Sequence, residues 1–309
     1  MTKLLLIDGN AIMHRAFHAL PPLTTKKGEP IGAVYGFITM LLRLIEDLTP
    51  THIVVCFDRK EPTFRKKLST TYQAHRPKMD EGLIPQFPKI HAALSAMNIP
   101  VYDKAGYEAD DLIGTISHSI KSHQSSVISH QSIDEVDIIT ADRDILQLVG
   151  DKVKVFLPVK GLSQGRLMDT AKVKETLGVA PEQIIDYKAL VGDPSDNYPG
   201  VPGIGPKTAV SLLEKYGSLE NIYANLDKTP KALRQKLQLG KDSALLSQNL
   251  ARIVTDIPLE FDPAQASAWC LDSSQALSLL ENEFGFKTIP ARIKKLSRKL
   301  PSRSQTSLF

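Results

Sequence analysis

Apolar runs rich in β-branched and aliphatic residues recur at 3–8, 52–57, 99–103, 136–140 and 153–157. Each has the length and composition of a buried strand. Helical periodicity at about 32–48, 84–97 and 108–121 falls between them. This rhythm predicts an α/β domain whose parallel sheet is covered by helices. Between Asp58 and Pro85 the rhythm stops, and the chain becomes polar and rich in Lys and Arg. A connection this long inside a compact domain is more often functional than accidental. From Thr170 the pattern turns helical (AKVKETLGV, PEQIIDYKALVG, TAVSLLEKYG, then 231–254), which predicts a smaller helical subdomain packed on the first part.

The expected organisation is an α/β domain over 1–169, a helical subdomain over 170–285 and a flexible basic tail over 286–309. The α/β domain carries the basic insertion at about 60–90 and a second insertion, SHQSSVISHQS, at 122–132. Ser, His and Gln repeats of that kind build no core and suit a surface loop. No function is assigned to them.

Three of the apolar runs end in carboxylates: KLLLID in Asp8, HIVVCFD in Asp58, and VDIITADRD in Asp142 and Asp144. Open α/β sheets bind ligands at the carboxyl edge of their strands. Two further clusters follow, Glu108, Asp110 and Asp111 in YEADD, and Asp193 and Asp196 in GDPSDN. Taken singly, each has an ordinary use. Glu108 and Asp111 share a helix face near a helix start, with Asp110 turned away. Asp142 is placed to cap the following helix, DGN reads as a turn, and GDPSDN reads as an Asx turn. Together at one sheet edge they would repel and raise one another's pKa unless divalent cations neutralise them. Two Mg²⁺ or Mn²⁺ ions about 4 Å apart are the usual machinery of phosphodiester hydrolysis. No Ser/His/Asp or Cys/His arrangement competes, and GEPIGAVYG lacks the order of a nucleotide-cradling loop.

Composition narrows the setting. Two cysteines, Cys56 and Cys270, give neither a disulfide framework nor a metal knuckle, which fits a reducing cytoplasm. No apolar stretch approaches membrane-spanning length. Net charge is +4, but the seven Lys and Arg after Glu283 have no acid among them, so the body carries −3. Local patches therefore decide nucleic-acid binding, not the total. One patch is GVPGIGPKTA: a G-I-G hairpin between helices turns backbone N–H groups outward at a helix N-terminus, with Lys207 and Thr208 beside Gly203 and Gly205. Such a turn binds phosphate without reading sequence.

In this order, LLLIDGN, RAFHAL, VVCFD, FRKKL, YQAHRP, GYEADDLIGT, TADRDILQLV, YKALVGDPSDNYPGVPGIGPKTA and LLEKYGSLENI resemble the 5′-nuclease (flap endonuclease) family, most closely the N-terminal 5′–3′ exonuclease domain of bacterial DNA polymerase I. The resemblance covers roughly 2–285. It implies a PIN-like α/β sheet, a helical arch at the basic insertion, a helix-hairpin-helix subdomain and hydrolysis at 5′ ends or flap junctions. It implies that Asp8, Asp58, Glu108, Asp110 and Asp142 form one metal group, completed by Asp111, Asp144, Asp193 and Asp196 in a second, and that a monovalent cation sits at the hairpin. Arg15, Tyr72, Arg76 and Lys78 would meet the single strand, and Gly203, Gly205, Lys207 and Thr208 the duplex backbone. The implied substrates are 5′-flap, nicked or primed DNA and RNA primers, handled by a monomer in the bacterial cytoplasm at the nucleoid. Where the family usually has Lys after Tyr72, this chain has Gln73. The ending QTSLF resembles sliding-clamp docking peptides through Gln305, Leu308 and Phe309. The competing readings are a PIN-type ribonuclease lacking the hairpin and a non-catalytic DNA-binding module.

Overall fold

Strand β1 (Lys3–Asp8) frames the molecule, because its side chains are buried on both faces of a sheet. Leu4 and Leu6 enter one apolar core with Val54, Cys56, Val136 and Ile138, whereas Leu5 and Ile7 enter the other with Ile53, Val55 and Ile139. Alternation along each strand makes this division. The structure is a computed structural model that describes residues 1–121, 132–160 and 164–300. Its other strands are β2 (His52–Cys56), β3 (Val101–Tyr102), β4 (Glu135–Ile139), β5 (Val153–Lys160) and β6 (Gln164–Met168). They lie in the order β3-β2-β1-β4-β5-β6, parallel except for β6.

That order places a topological switch at β1. The chain runs outward through β2 and β3 on one side, then returns over the sheet to start β4 on the other. The crevice where the two directions part is where open α/β sheets bind ligands. The pairings Asp8 with Cys56 and Ile7 with Ile139 bring the carboxyl ends of β1, β2 and β4 level there.

Helices α1 (Gly9–Ala19), α2 (Gly32–Leu48), α3 (Phe64–Leu68), α4 (Phe87–Ala96) and α5 (Ala109–Lys121) belong to the first half of the chain. Those of the second are α6 (Thr170–Leu177), α7 (Ile184–Val191), α8 (Pro206–Tyr216), α9 (Leu219–Ala224), α10 (Lys231–Leu239), α11 (Lys241–Ala251), α12 (Pro263–Ser267), α13 (Ser274–Ser278) and α14 (Ile289–Ser297). Helices α1, α2 and α4 cover one face of the sheet. Helix α5 covers the other, and its core continues without a break into α6 to α11.

Several elements depart from the sequence reading. DGN is not a turn: Asp8 passes directly into α1, which it caps by accepting from the Ala11 N–H at 2.9 Å. Gly9 is needed at this junction, since a Cβ there would lie 2.4 Å from the Phe57 ring. The antiparallel edge strand β6 has no counterpart among the expected strands, because QGRLM has no run of apolar residues. The basic insertion holds only one short helix, α3, before the chain turns into a 3₁₀ turn at Ile84–Gln86. The 122–132 insertion falls almost wholly outside the described residues, and 305–309 entirely so.

The expected flexible tail is corrected as far as Leu300. Ile289 and Ile293 of α14 are fully buried and Leu296 nearly so, in the core that holds α2. Residues 263–285, assigned by sequence to the helical subdomain, also return to the first half. Trp269 donates to the Thr51 carbonyl at 3.3 Å and Ser273 to the Ala96 carbonyl at 2.6 Å. A basic surface on α14 disguised a helix whose other side is apolar. Ile293→Ala should therefore cost about 2–5 kcal/mol in urea unfolding; no loss would mean that α14 is not part of the core.

Candidate active site

The acids at the switch crevice are tied to one another through backbone and hydroxyl groups. Thr140, just past β4, donates to Asp8 Oδ2 at 2.7 Å and accepts from the Asp142 N–H at 3.0 Å. It fixes the β4 carboxylate against the β1 carboxylate. Asp142 Oδ1 in turn accepts from the Asp144 N–H at 2.8 Å, where a 3₁₀ turn begins. From β2, Asp58 accepts from the Ala109 N–H at 2.7 Å, and its own N–H donates to Asn10 Oδ1 at 2.9 Å. This anchors the start of α5 beside the crevice.

Helix α5 divides its acids as the turn geometry requires. Asp111, fully buried, accepts from both Nη atoms of Arg65 at 2.7 Å and from the Val254 N–H at 2.9 Å. Glu108 faces the same side, pairing with Arg65 at 3.3 Å and accepting from Thr63 at 3.0 Å and the Tyr72 hydroxyl at 3.2 Å. Asp110 is turned away from both and faces Asp142, Asp8 and Asp58. Its loss of water, then their repulsion, lifts its pKa well above the usual carboxylate range.

The two groups expected from sequence are thus redrawn. Asp8, Asp58, Asp110 and Asp142 crowd one another, and among the described residues no Lys or Arg forms an ion pair with any of them. Burial and the charges of Asp58 and Asp142 carry Asp8 up to about 7, against hydrogen bonds from Ala11 and Thr140. Asp111, expected in the second group, has both its oxygens engaged by a buried arginine. Removing one partner of such a pair costs about 3–5 kcal/mol.

Asp144 and Asp193 share the ammonium of Lys188, which lies 2.6 Å from Asp144 Oδ1 and also bonds Asp193. Burial first, then the charges of Asp142 and Asp193, raises Asp144 to about 7, against the charge and hydrogen bond of Lys188. Burial would raise Asp193 too, but Lys188 and Ser195 hold it below the usual range. Its loop does form the Asx turn read from GDPSDN, with Asp193 Oδ1 accepting from the Ser195 N–H at 2.7 Å. Gly192, at φ +75°, closes it, since a Cβ there would lie 2.5 Å from the Tyr198 carbonyl oxygen.

Asp196 meets the basic insertion. It accepts from Gln73 Nε2 at 3.1 Å and from the Tyr72 hydroxyl at 3.3 Å, and Arg76 approaches at 3.6 Å. Gln73 sits at φ +54°, its N–H donating to the Asp196 carbonyl at 2.9 Å. The amide is therefore engaged, whereas the Arg76 guanidinium also faces Asp142 and Glu108. Tyr72 is corrected as a stacking platform: it is 2 % exposed, packed with Tyr198, Leu250 and Ala251. Arg15 lies half-buried on α1, and Lys78 is exposed.

At the hairpin, Gly203 adopts φ +79° and Gly205 precedes α8 in extended conformation, with Lys207 exposed. Lys207, Thr208, Ser211 and Lys215 line a cavity of about 380 Å³ with Tyr216 and Leu233. The Gly203 carbonyl accepts from Lys236 at 3.0 Å, so a protein ammonium already stands at the turn.

Sequence reasoning missed Arg65, Thr140 and Lys188. Arg65 sits in FRKKL, where Lys66 and Lys67 are exposed and only the arginine is buried. Nothing in that run of like charges distinguishes it.

A family model described as 5′–3′ exonuclease, N-terminal resolvase-like domain, matches residues 3–178, and one described as 5′–3′ exonuclease, C-terminal SAM fold, matches 179–273. The chain belongs to the 5′–3′ exonuclease family. It is 41% identical over 295 residues to DNA polymerase I of Caldicellulosiruptor bescii, covering 94% of this chain and 33% of that protein. To DNA polymerase I of Bacillus subtilis it is 39% identical over 292 residues, covering 94% and 32%. The chain thus spans about a third of the length of these relatives. Among solved structures, a bacteriophage T5 flap endonuclease complexed with DNA and metal ions superposes with a TM-score of 0.66 at 21% identity, covering 96% of this chain and 98% of that one. The catalytic core of Rad2 in complex with DNA substrate gives 0.60 at 17% identity, covering 98% and 92%. These likenesses show that the chain, with its six-stranded, mostly parallel sheet and helices on both faces, shares their fold.

The donor set of this chain fits a hard divalent cation, being all oxygen and mostly carboxylate. Among the described residues no three His, Cys, Asp or Glu side chains are already gathered to hold an ion. The acids are near enough for their charges to act on one another without already forming a cage. Asp8 titrates near 7 against an ordinary 3.8, and Glu108 near 7 against 4.5, burial being the first cause in both. The folded chain then binds more protons than the unfolded one between about 4 and 7, so stability falls as pH rises through that range. The metal-free Tm should drop by at least about 2–4 °C between roughly pH 5.5 and 7.5. Millimolar Mg²⁺ should reverse most of the drop in differential scanning fluorimetry; a flat, Mg²⁺-insensitive Tm would contradict the crowding of these acids.

Proposed function

We propose that this chain is a metal-dependent, structure-specific 5′–3′ exonuclease and flap endonuclease that hydrolyses phosphodiester bonds at 5′ ends and flap junctions of DNA or RNA primers. The observation that carries the reading is the meeting of Asp8, Asp58, Asp110 and Asp142 at the switch crevice without a paired protein cation among the described residues. Divalent cations held by these carboxylates would neutralise phosphate charge and make the attacking water more acidic. The T5 exonuclease of the same fold has been described with divalent metal ions, zinc in that case. Mg²⁺ is proposed for this chain.

The protein's own groups divide the remaining work. Arg76, exposed at the rim and facing the acids, is the cation placed to hold the scissile phosphate. Gln73 positions Asp196 instead of meeting substrate. Lys207, Thr208 and the start of α8 take the duplex backbone, where they orient it without reading bases. A ribonuclease reading has less support, because the helix-hairpin-helix has no task there. A non-catalytic module has no use for four crowded acids.

Cleavage of a labelled 5′-flap duplex with Mg²⁺ tests the reading. Asp110→Asn should abolish turnover while flap binding persists, and Arg76→Ala should lower turnover by about 10²-fold. An intact flap with the unaltered chain would refute catalysis; equal cutting of unstructured RNA would favour the ribonuclease.

A finer partner, the bacterial sliding clamp bound through Gln305, Leu308 and Phe309, rests on sequence alone. Such a tether raises effective concentration at DNA without touching chemistry. Deleting 305–309 should remove the chain from clamp-coated beads while flap cleavage in solution stays unchanged; undiminished capture would end the idea.

A further inference from the structure

Tyr198 is held more rigidly than its loop position suggests. Its N–H donates to the Asp193 carbonyl at 3.1 Å, and its carbonyl accepts from the Asp193 N–H at 2.8 Å, an isolated antiparallel bridge that closes GDPSDN. The ring packs with Tyr72, Leu250 and Ala251 in a small apolar cluster set apart from the two main cores. The residue is 3 % exposed. Its hydroxyl is wholly buried, and no hydrogen-bond partner for it is found among the described residues.

That orphan is unusual on physical grounds. Buried tyrosine hydroxyls normally find partners, and a structure that leaves one unmet calls for an explanation. Neighbouring Tyr72 shows the ordinary case, its hydroxyl reaching both Glu108 and Asp196. Packing alone would be served as well by phenylalanine. The groups whose charge the Tyr198 hydroxyl feels are Asp144 first, then Asp193, Asp196 and Asp142. A phenol O–H is a hydrogen-bond donor, and this one is buried beside them without a partner among the described residues. Lys188 answers Asp144 and Asp193 with charge; Tyr198 faces the same acids with a neutral O–H.

We propose that Tyr198 is a positioning residue whose buried O–H is a preset donor to the oxygen shell of a divalent cation at Asp142, Asp144, Asp193 and Asp196. The hydroxyl is unmet because its partner arrives with the ion. This rests on the reading of these acids as a divalent-cation site.

Tyr198→Phe keeps the ring and removes only the hydroxyl. In metal-free protein its Tm should equal or exceed that of the unaltered chain, because deleting an unmet buried donor is neutral or stabilising. Isothermal titration with Mn²⁺ alone should show the affinity of one bound ion lowered by about 2- to 10-fold, the worth of one hydrogen bond. The Mg²⁺ concentration needed for half-maximal flap cleavage should rise in parallel. Identical Mn²⁺ isotherms for the two proteins would overturn the proposal while leaving the cation site standing. No Mn²⁺ binding by the unaltered chain would overturn both. A lowered metal-free Tm would show that the hydroxyl has a structural partner, and would also overturn it.

Discussion

Repulsion between carboxylates governs this molecule. The topology makes it unavoidable: β1, β2 and β4 all end at the switch crevice, and each delivers an acid there. Burial disfavours ionisation of Asp8, Asp110, Glu108 and Asp144, and the charges of neighbouring carboxylates add to it, which is why all four titrate above their ordinary range. A fold that gathers so much like charge must supply counter-charge. Where it does so, and where it does not, divides the acids between those a protein cation already holds and those left without one among the described residues.

Two cations do the structural part, each joining segments far apart in sequence. Arg65 binds Asp111 and Glu108 at the start of α5, and also donates to the Leu250 and Arg252 carbonyls at 3.0 and 2.7 Å. One buried side chain thereby unites the basic insertion, the start of α5 and the end of α11. Lys188 does the same for Asp144 and Asp193, locking α7 to the turn after β4. Arg76 is different: more than half exposed, it approaches Asp196 at 3.6 Å without a tight bond. An exposed, loosely held guanidinium contributes little to stability. It is free to exchange a carboxylate for a phosphate, which the buried Arg65 is not.

Much of the site was legible in sequence because it follows from strand chemistry. A run such as KLLLID reads as a buried strand, and its final acid then emerges at the sheet edge. Periodicity also gave the correct sense for Asp110, turned from Glu108 and Asp111, though not that its own direction faces the other strand-end acids. What stayed hidden depends on pairing across the fold. Thr140 looks like any β-branched strand residue until it is seen between Asp8 and Asp142. Lys188 reads as the polar side of a helix, and Arg65 as one cation among three. The return of the chain after α11 is equally silent. Residues 252–261 have no regular secondary structure, and single hydrogen bonds such as Ile253 N–H to Gln147 and Val254 N–H to Asp111 hold their start in place.

Gln73 brings these threads together. Read alone, the resemblance leads one to expect a lysine here, and a glutamine supplies no positive charge. In the fold, the position has a second demand: at φ +54° it must bridge to the Asp196 backbone while its side chain reaches the Asp196 carboxylate. A neutral amide meets that demand without neutralising Asp196, so the acid keeps its charge for a cation. The guanidinium of Arg76, three residues on, then covers Asp196, Asp142 and Glu108 from the rim. The positive charge beside Asp196 therefore sits on Arg76, whose side chain is more than half exposed, and not on Gln73, whose backbone is bonded to Asp196.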